Sequence, residues 1–316
     1  MREKITERAR GHWRGILAAL AVSPTLIDGK HHGCPICGQG KDCFRFADYD
    51  GTGGYICSRC GNGSGFDLLM AVKGWDFKTA AREVEGIIGS CEPDRRRPER
   101  SEEDKRAAMT RLWRSGRAVT VTDPVGRYLA ARCGVGEAPQ ALRYVESLHY
   151  AGSDERYPSM IAKLSAPDGS PNNIHRTYLT ETGTKAPVDA PRRMMPGTIA
   201  KGACVRLSPA ADVLGIAEGI ETALSAAKLF EVPCWAALNS ELLKAWHPPA
   251  GVSKVIIFGD NDENFTGQAA AYALAKRLSA ESISAEIKIP DAIGEDWNDV
   301  LTGKSNVASQ AEEAAV

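Results

Sequence analysis

The sequence predicts a multi-domain α/β protein, and three features of it carry that reading. Two C-x2-C pairs, "CPIC" at 34–37 and "CSRC" at 57–60, mark a small cysteine-anchored ribbon near the N-terminus. Residues 140–206 alternate short apolar runs with turns, the pattern of an α+β subdomain. From 212 onward, strand-length apolar runs alternate with helical stretches, which reads as an α/β unit with a mostly parallel sheet.

Composition narrows the class. A chain of 316 residues has room for two or three units of ordinary size, and 43% hydrophobic with 25% charged residues is globular composition. No apolar run approaches the roughly 20 residues that span a bilayer. The opening "MREKITERAR" lacks the apolar core of a secretory signal, so a cytoplasmic protein is expected. Nine cysteines with no export signal argue for reduced thiols, and paired ones are read first as metal ligands. A net charge of −1 excludes a uniformly basic nucleic-acid binder but permits a locally basic one.

Taken in order, residues 3–22 place Ile5, Trp13, Ile16, Leu17 and Leu20 at near-helical spacing, so a short amphipathic helix leads in. In 31–66, nineteen residues separate the cysteine pairs, and "FRFADYDGTGGYI" supplies two short strands and a glycine-rich turn that bring them together. Four thiolates from Cys34, Cys37, Cys57 and Cys60 make a closed structural Zn²⁺ site with no open position for chemistry. His31 and His32 read as loop histidines, and Cys43 as the start of a strand. Lys41, Arg45 and Arg59 lie among Phe44, Phe46, Tyr49 and Tyr55, and those aromatics either stack on unpaired bases or form the ribbon's small core.

"FDLLMAVKGWDFKTAAREVEGII" then predicts two helices split at Gly74-Trp75-Asp76, closing an N-terminal domain over 1–89. Residues 90–106, with the Arg95–Arg97 run, are charged, proline-containing and poor in apolar residues: a linker. A basic core subdomain follows over 107–211. Helices are expected from about Glu102 to Ala118 and over "DPVGRYLAARCG", with Pro124 early in the turn. Asp168-Gly169 reads as a hairpin turn. The α/β unit occupies 212–304, and 305–316 is a frayed tail.

In that unit, "VIIFGDNDENFTG" puts Asp260 and Asp262 where a strand ends. Residues i and i+2 leaving a strand project alike, toward the carboxyl edge where α/β proteins place their sites. One such Asp would be an unremarkable helix cap. Glu218 ends another predicted strand, and Asp296 and Asp299 follow the last. Three strand ends presenting carboxylates on one edge favour a metal over a cap, and oxygen-only ligands suit Mg²⁺ or Mn²⁺.

Glu-Gly after one strand, Asp-x-Asp after a later one and a final Asp cluster resemble the Toprim domain of bacterial-type primases, topoisomerases and some nucleases. The ribbon ahead of it narrows the resemblance to primases. Within these, "EGIETA" at 218–223 is similar to the EGYATA-type motif of the alpha-type primases of satellite phages and conjugative plasmids, and "YICSRCGNGSGFDLL" resembles their second zinc knuckle. The resemblance covers roughly 10–90 and 155–302. It implies Glu218, Asp260 and Asp262 as catalytic and metal-binding residues, with Asp296 as a further magnesium ligand. Two positions depart from replicative primases, Thr222 and Asn298, where those proteins often carry Asp.

The resemblance also implies a basic surface for template and nucleotides. Residues 155–206 carry eight Lys/Arg against four Asp/Glu, and Lys163, Arg176, Lys185, Arg192, Arg193 and Lys201 are its candidates; the alternative is a solvated face. The expected activity is RNA primer synthesis on single-stranded DNA from ribonucleoside triphosphates. No G-x4-GK[ST] phosphate loop occurs, so a helicase, where one is used, is expected as a separate partner. A Toprim nuclease and a non-catalytic nucleic-acid-binding protein are the other classes.

Overall fold

The computed structural model describes residues 4–93, 101–151 and 153–303; linker residues 94–100, including Arg95–Arg97, and the 305–316 tail lie outside the described residues. The chain forms two compact units, 1–99 and 100–316.

In the first unit, the predicted lead-in helix is two short ones, α1 (Ile5–Arg8) and α2 (Trp13–Ala19). Gly11, at φ +77°, breaks them apart in a left-handed conformation that costs glycine nothing. The ribbon strands β1 (His31–His32), β2 (Phe44–Phe46), β3 (Tyr55–Cys57) and β4 (Gly61–Gly63) pair antiparallel in sequence order. Helices α3 (Gly65–Lys73) and α4 (Phe77–Ile87) follow, split where expected: Gly74 ends α3 at φ +67° and Asp76 caps α4 by accepting from the Thr79 amide at 2.7 Å. The core closes around Trp13, 1% exposed, whose ring meets Phe66 edge-on at 4.8 Å. Gly53 and Gly65 lie so close to that indole that a Cβ on either would come within 2.5 and 2.3 Å of it. Phe44, Phe46 and Tyr55 are buried in the same cluster, so these aromatics are core; the Tyr49 side chain lies outside the described ones.

The second unit opens with α5 (Glu102–Ser115), started by a reciprocal Ser101–Asp104 capping box, and α6 (Pro124–Cys133), capped by Asp123 with Pro124 in its first turn. Helix α5 stops three residues short of the predicted Ala118, because Gly116 turns to extended backbone where a Cβ would meet Ile161 at 2.9 Å. Next come β5 (Leu142–His149), β6 (Arg156–Ser165), β7 (Pro171–Tyr178), β8 (Arg192–Met194) and β9 (Cys204–Val205). The alternation then runs β10 (Val213–Ala217), α7 (Ile220–Phe230), β11 (Cys234–Ala236), α8 (Ser240–Ala245), β12 (Lys254–Phe258), α9 (Thr266–Ala280), β13 (Ser284–Lys288) and α10 (Trp297–Thr302). The predicted hairpin turn joins β6 to β7, with Gly169 at φ +88° and Asp168 accepting from the Ser170 amide.

All of these strands belong to one sheet, ordered β13-β12-β10-β11-β9-β6-β7-β8, with β5 also on β6. Strands β10 to β13 are parallel, the rest antiparallel. The two-residue β9 bridges β11 and β6, so residues 107–211 and 212–304 share a sheet. Strand β10 lies between β11 and β12. The chain crosses from one side of β10 to the other there, which makes the carboxyl end of the β10–β12 pair the topological switch point.

Candidate active site and metal centres

The four ribbon cysteines converge. Their sulfurs all lie within 4.8 Å of one another, with Cys34 and Cys60 3.6 Å apart. Backbone amides point at them: Ile36 donates to Cys34, and Arg59 and Cys60 both donate to Cys57, each at 3.4 Å. The Cys60 and Arg59 amides bring the Cys57 thiol down to about 6 against its burial, while Cys60, hydrogen-bonded to the Cys57 sulfur, is pushed up to about 12. Thiols packed this tightly cannot all ionise without a cation among them, so the donor set fits Zn²⁺. Cys43 stands beside the cluster, 3.7 Å from Cys57, but gives its proton to the Gln39 carbonyl. His31 and His32 are engaged elsewhere, by the Asp42 carbonyl and the Asp28 carboxylate.

The second centre sits at the switch point. The register Ala217↔Phe258 makes Glu218, after β10, and Asp260, after β12, emerge from adjacent parallel strands. Asn261, between the two aspartates, fixes the turn. Its side chain donates to the Pro290 carbonyl at 2.9 Å and accepts from Gln268, and its amide donates to Glu295. Those bonds tie the β12 loop to the segment leading into Asp296. Helix α9 approaches equally closely, since a Cβ at Gly267 would stand 2.7 Å from the Asp260 carbonyl oxygen. Neither Asn261 nor Gly267 stood out in the sequence, where the flanking carboxylates drew the reading.

The carboxylates differ in what they already hold. Asp262 accepts from the Gly267 amide at 2.9 Å and so caps α9 with one oxygen. Asp296 is the N-cap of α10, accepting from the Asn298 and Asp299 amides. Asp260 caps nothing; its Oδ1 is buried without a hydrogen-bond partner. Burial first, and then the Asp296, Glu218 and Asp262 charges, push the Asp260 carboxyl up to about 7. Burial also raises Glu218 and Asp296. Among the described residues only the cysteines bring three or more ligand atoms within 4.8 Å, so the carboxylates make an open edge rather than a closed cage. An orphaned buried oxygen among mutually repelling carboxylates fits a hydrated Mg²⁺ or Mn²⁺, which takes few protein ligands and keeps waters.

A cavity of about 360 Å³ opens on this edge. Glu218, Asp260 and Asp296 form part of its lining; His175, Arg192, Arg193, Glu221 and Thr222 form another part. Arg192 and Arg193 are brought there by β8, whose pairing sets Thr177 opposite Arg192 and Arg176 opposite Arg193. Glu221 is 6% exposed; the Tyr128 hydroxyl donates to it, and Lys185 and Arg192 stand 4.0 and 3.9 Å away. Burial would raise its pKa, but the Tyr128 bond and the two cations outweigh that and hold it low. His175, also buried, is brought down to about 4 and stays neutral.

The other basic candidates lie elsewhere. Arg176 is buried, bonding the Tyr178 hydroxyl and the Met194 carbonyl. Lys163 stands over the Trp113 ring at 5.6 Å, and Lys201 lines a separate groove with Lys244 and Arg277. Arg193 also stacks on Tyr150 at 4.1 Å. Asn298 points away from the cavity, its amide tying α10 to the Arg132 carbonyl and the Ser225 hydroxyl.

Three family profiles match the chain, none over half of it. Residues 29–66 match the zinc-binding domain of primase-helicase, 103–207 a domain of unknown function (DUF7146), and 213–306 the Toprim domain. Solved structures similar to the chain include the zinc-binding and RNA polymerase domains of the Aquifex aeolicus primase, at 15% identity over 98% of this chain and 85% of that one, TM-score 0.39. The primase fragment of the bacteriophage T7 primase-helicase protein matches at 13% identity over 89% and 98%, TM-score 0.38. Superpositions this loose add no weight to the domain matches. Those matches give the chain a primase-type zinc ribbon, whose four cysteines are in place for a structural zinc, and a Toprim domain.

Proposed function

From a chain that joins a primase-type zinc ribbon to a Toprim domain, we propose a DNA primase that synthesises short RNA primers on single-stranded DNA by metal-dependent nucleotidyl transfer. The observation that carries this reading is the single cavity in which Glu218, Asp260 and Asp296 share a lining with Arg192 and Arg193. Carboxylates alone suit a metal, and cations alone suit a phosphate. Together they suit a metal–triphosphate.

In this reading Glu218, Asp260 and Asp262 hold Mg²⁺ or Mn²⁺, with Asp296 as a further ligand. A divalent cation bound there supplies Lewis-acid stabilisation of charge on the attacking and leaving oxygens. Arg192, Arg193 and Lys185 bind the triphosphate, orienting its α-phosphate toward the 3′ oxygen of the preceding ribonucleotide. The 3′ oxygen bonds to the α-phosphorus as the bond to pyrophosphate breaks, the hydroxyl proton passes to solvent, and pyrophosphate leaves against the same cations. Neutral His175 can hydrogen-bond a phosphate or ribose oxygen without adding charge. Lys163 and Lys201, on other faces, are assigned to the template backbone, and buried Arg176 to holding β8 against β7. The ribbon engages single-stranded template. Replication of a phage or plasmid-type replicon is the setting that the alpha-type resemblance suggests.

Radiolabelled ribonucleotide incorporation on single-stranded circular DNA tests the reading. The protein should extend primers with Mg²⁺ or Mn²⁺, and Asp260→Asn and Glu218→Gln should lose at least about 100-fold of that activity while remaining folded. Absence of incorporation with either metal would sink the polymerase reading. DNA cleavage in its place would favour a Toprim nuclease, and template binding alone a non-catalytic role.

A further inference from the structure

We propose that Glu221 is a positioning residue, a buried anion that holds Arg192 and Lys185 as a pair so that the cavity receives a polyphosphate in one orientation. The inference rests on the polyphosphate-binding part of the reading above.

Glu221 sits in the first turn of α7, three residues after Glu218, yet its surroundings are opposite in kind. Glu218 is raised, by burial first and then by the Asp262 charge, with Arg192 working against both. Both oxygens of Glu221 face partners: Oε1 the Tyr128 hydroxyl and Lys185 Nζ at 4.0 Å, Oε2 the Arg192 guanidinium at 3.9 Å. A buried carboxylate must be compensated, and this one has two cations and a hydroxyl to do it. Two positive charges against one negative leave the pair in excess by one. The ion-pair distances are long, and the Arg192 side chain keeps about half its surface, 51%, exposed. Neither contact is a hydrogen bond, so the donors of Arg192, in the cavity lining, stay open to a ligand, while half-buried Lys185, outside that lining, contributes its charge. His175, neutral in the same lining, leaves this balance unchanged. A ligand matching both linings carries anionic oxygens at one end and a cation at the other, which is a metal-bound nucleoside triphosphate.

The sign of one substitution separates anchoring from simple charge. If Glu221 were only another negative charge in the cavity, Glu221→Gln would relieve repulsion and tighten ATP binding. An anchor predicts the reverse. Glutamine keeps the shape and can still accept from Tyr128, but it releases Arg192 and Lys185, so the Kd for ATP and the nucleotide KM should rise about tenfold with kcat within about threefold. In an Arg192→Ala background the same change should have a smaller effect, because the one of its two cations that lines the cavity is gone. Calorimetric ATP titration without template, carried to millimolar ligand, reads binding apart from priming. Circular dichroism checks the fold; should Glu221→Gln not fold, Glu221→Asp, which draws the carboxylate back from both cations by one methylene, takes its place in the cycle under the same criteria. Tightened or unchanged ATP binding, or an effect undiminished in the Arg192→Ala background, overturns the proposal. Priming with Glu221-independent ATP binding sinks the anchor alone. Glu221-dependent ATP binding without priming sinks the polymerase reading and leaves the anchor standing.

Discussion

Asp260 is where the sequence and the structure speak most differently about one residue. The sequence offers Asp260 and Asp262 as equivalents, two residues apart at a strand end; the structure gives one of them a capping bond and leaves the other with an orphaned oxygen. The difference has a pH signature. Asp260 titrates near 7 in the folded protein against an ordinary 3.8, so the native state binds its proton more tightly than the unfolded chain does. Between about pH 4 and 7 each rise in pH therefore removes stability, and above 7 the full cost of the buried charge is present. Asp260→Asn carries no such cost. In metal-free buffer at pH 8 it should be more stable than the parent by roughly 1–3 kcal/mol, the gain vanishing below about pH 4. Thermal melts across pH 4–8 measure it. Manganese should reverse the order, stabilising the parent and not the variant. A variant less stable than the parent at pH 8 without metal would mean that Asp260 already has a partner.

At the level of elements, long apolar runs were legible and short bridging strands were not. "VLGIA" and "KVIIF" announce β10 and β12 by composition alone, and the carboxylates after them follow from chain direction. Strands β8 and β9 have three and two residues, too few for any period to register. Yet β9 makes one sheet of two sequence patterns, and β8 carries Arg192 and Arg193 to the cavity while the neighbouring Arg176 is buried. A count of basic residues could not sort these, because sorting them depends on pairing partners distant in sequence. Helix α9 was legible, but its closeness to Asp260 was not; that depends on Gly267. Gly267→Ala drives a methyl onto the Asp260 carbonyl and should cost about 1–3 kcal/mol, with Mn²⁺ affinity falling as the loop shifts. Gly86→Ala in α4, where a Cβ meets nothing within 4 Å, should instead stabilise by about 0.5–1 kcal/mol. Denaturant melts of the two variants, with calorimetric Mn²⁺ titration of the first, decide whether close approach is the cause.

For the whole molecule, what matters is that the two compact units are stabilised by different means. The described residues of the second unit close around a nine-stranded sheet with apolar clusters on it, which needs no ion to fold. The ribbon has strands of two and three residues, and its hydrophobic cluster includes Cys34, Cys43 and Cys57, so part of its core is metal-site sulfur. Strands this short bury too little apolar surface to offset the entropy of ordering them, and the remainder must come from ligation. The protein should therefore carry about one zinc per chain by elemental analysis, released with a strong chelator. Chelation should expose the β1–β4 amides to hydrogen exchange while β10, β12 and β13 keep their protection. Trp13 reports the same event optically, since its packing between Gly53, Gly65 and Phe66 depends on the ribbon loop staying closed. Helix α4 should lose protection only partly, because Ala80 and Val84 pack on residues of α2 and α3 as well as on the ribbon's cluster. Zinc-free protein with the β1–β4 amides still protected would show that the four thiols fold as an ordinary core, and the ribbon would then need another source of stability.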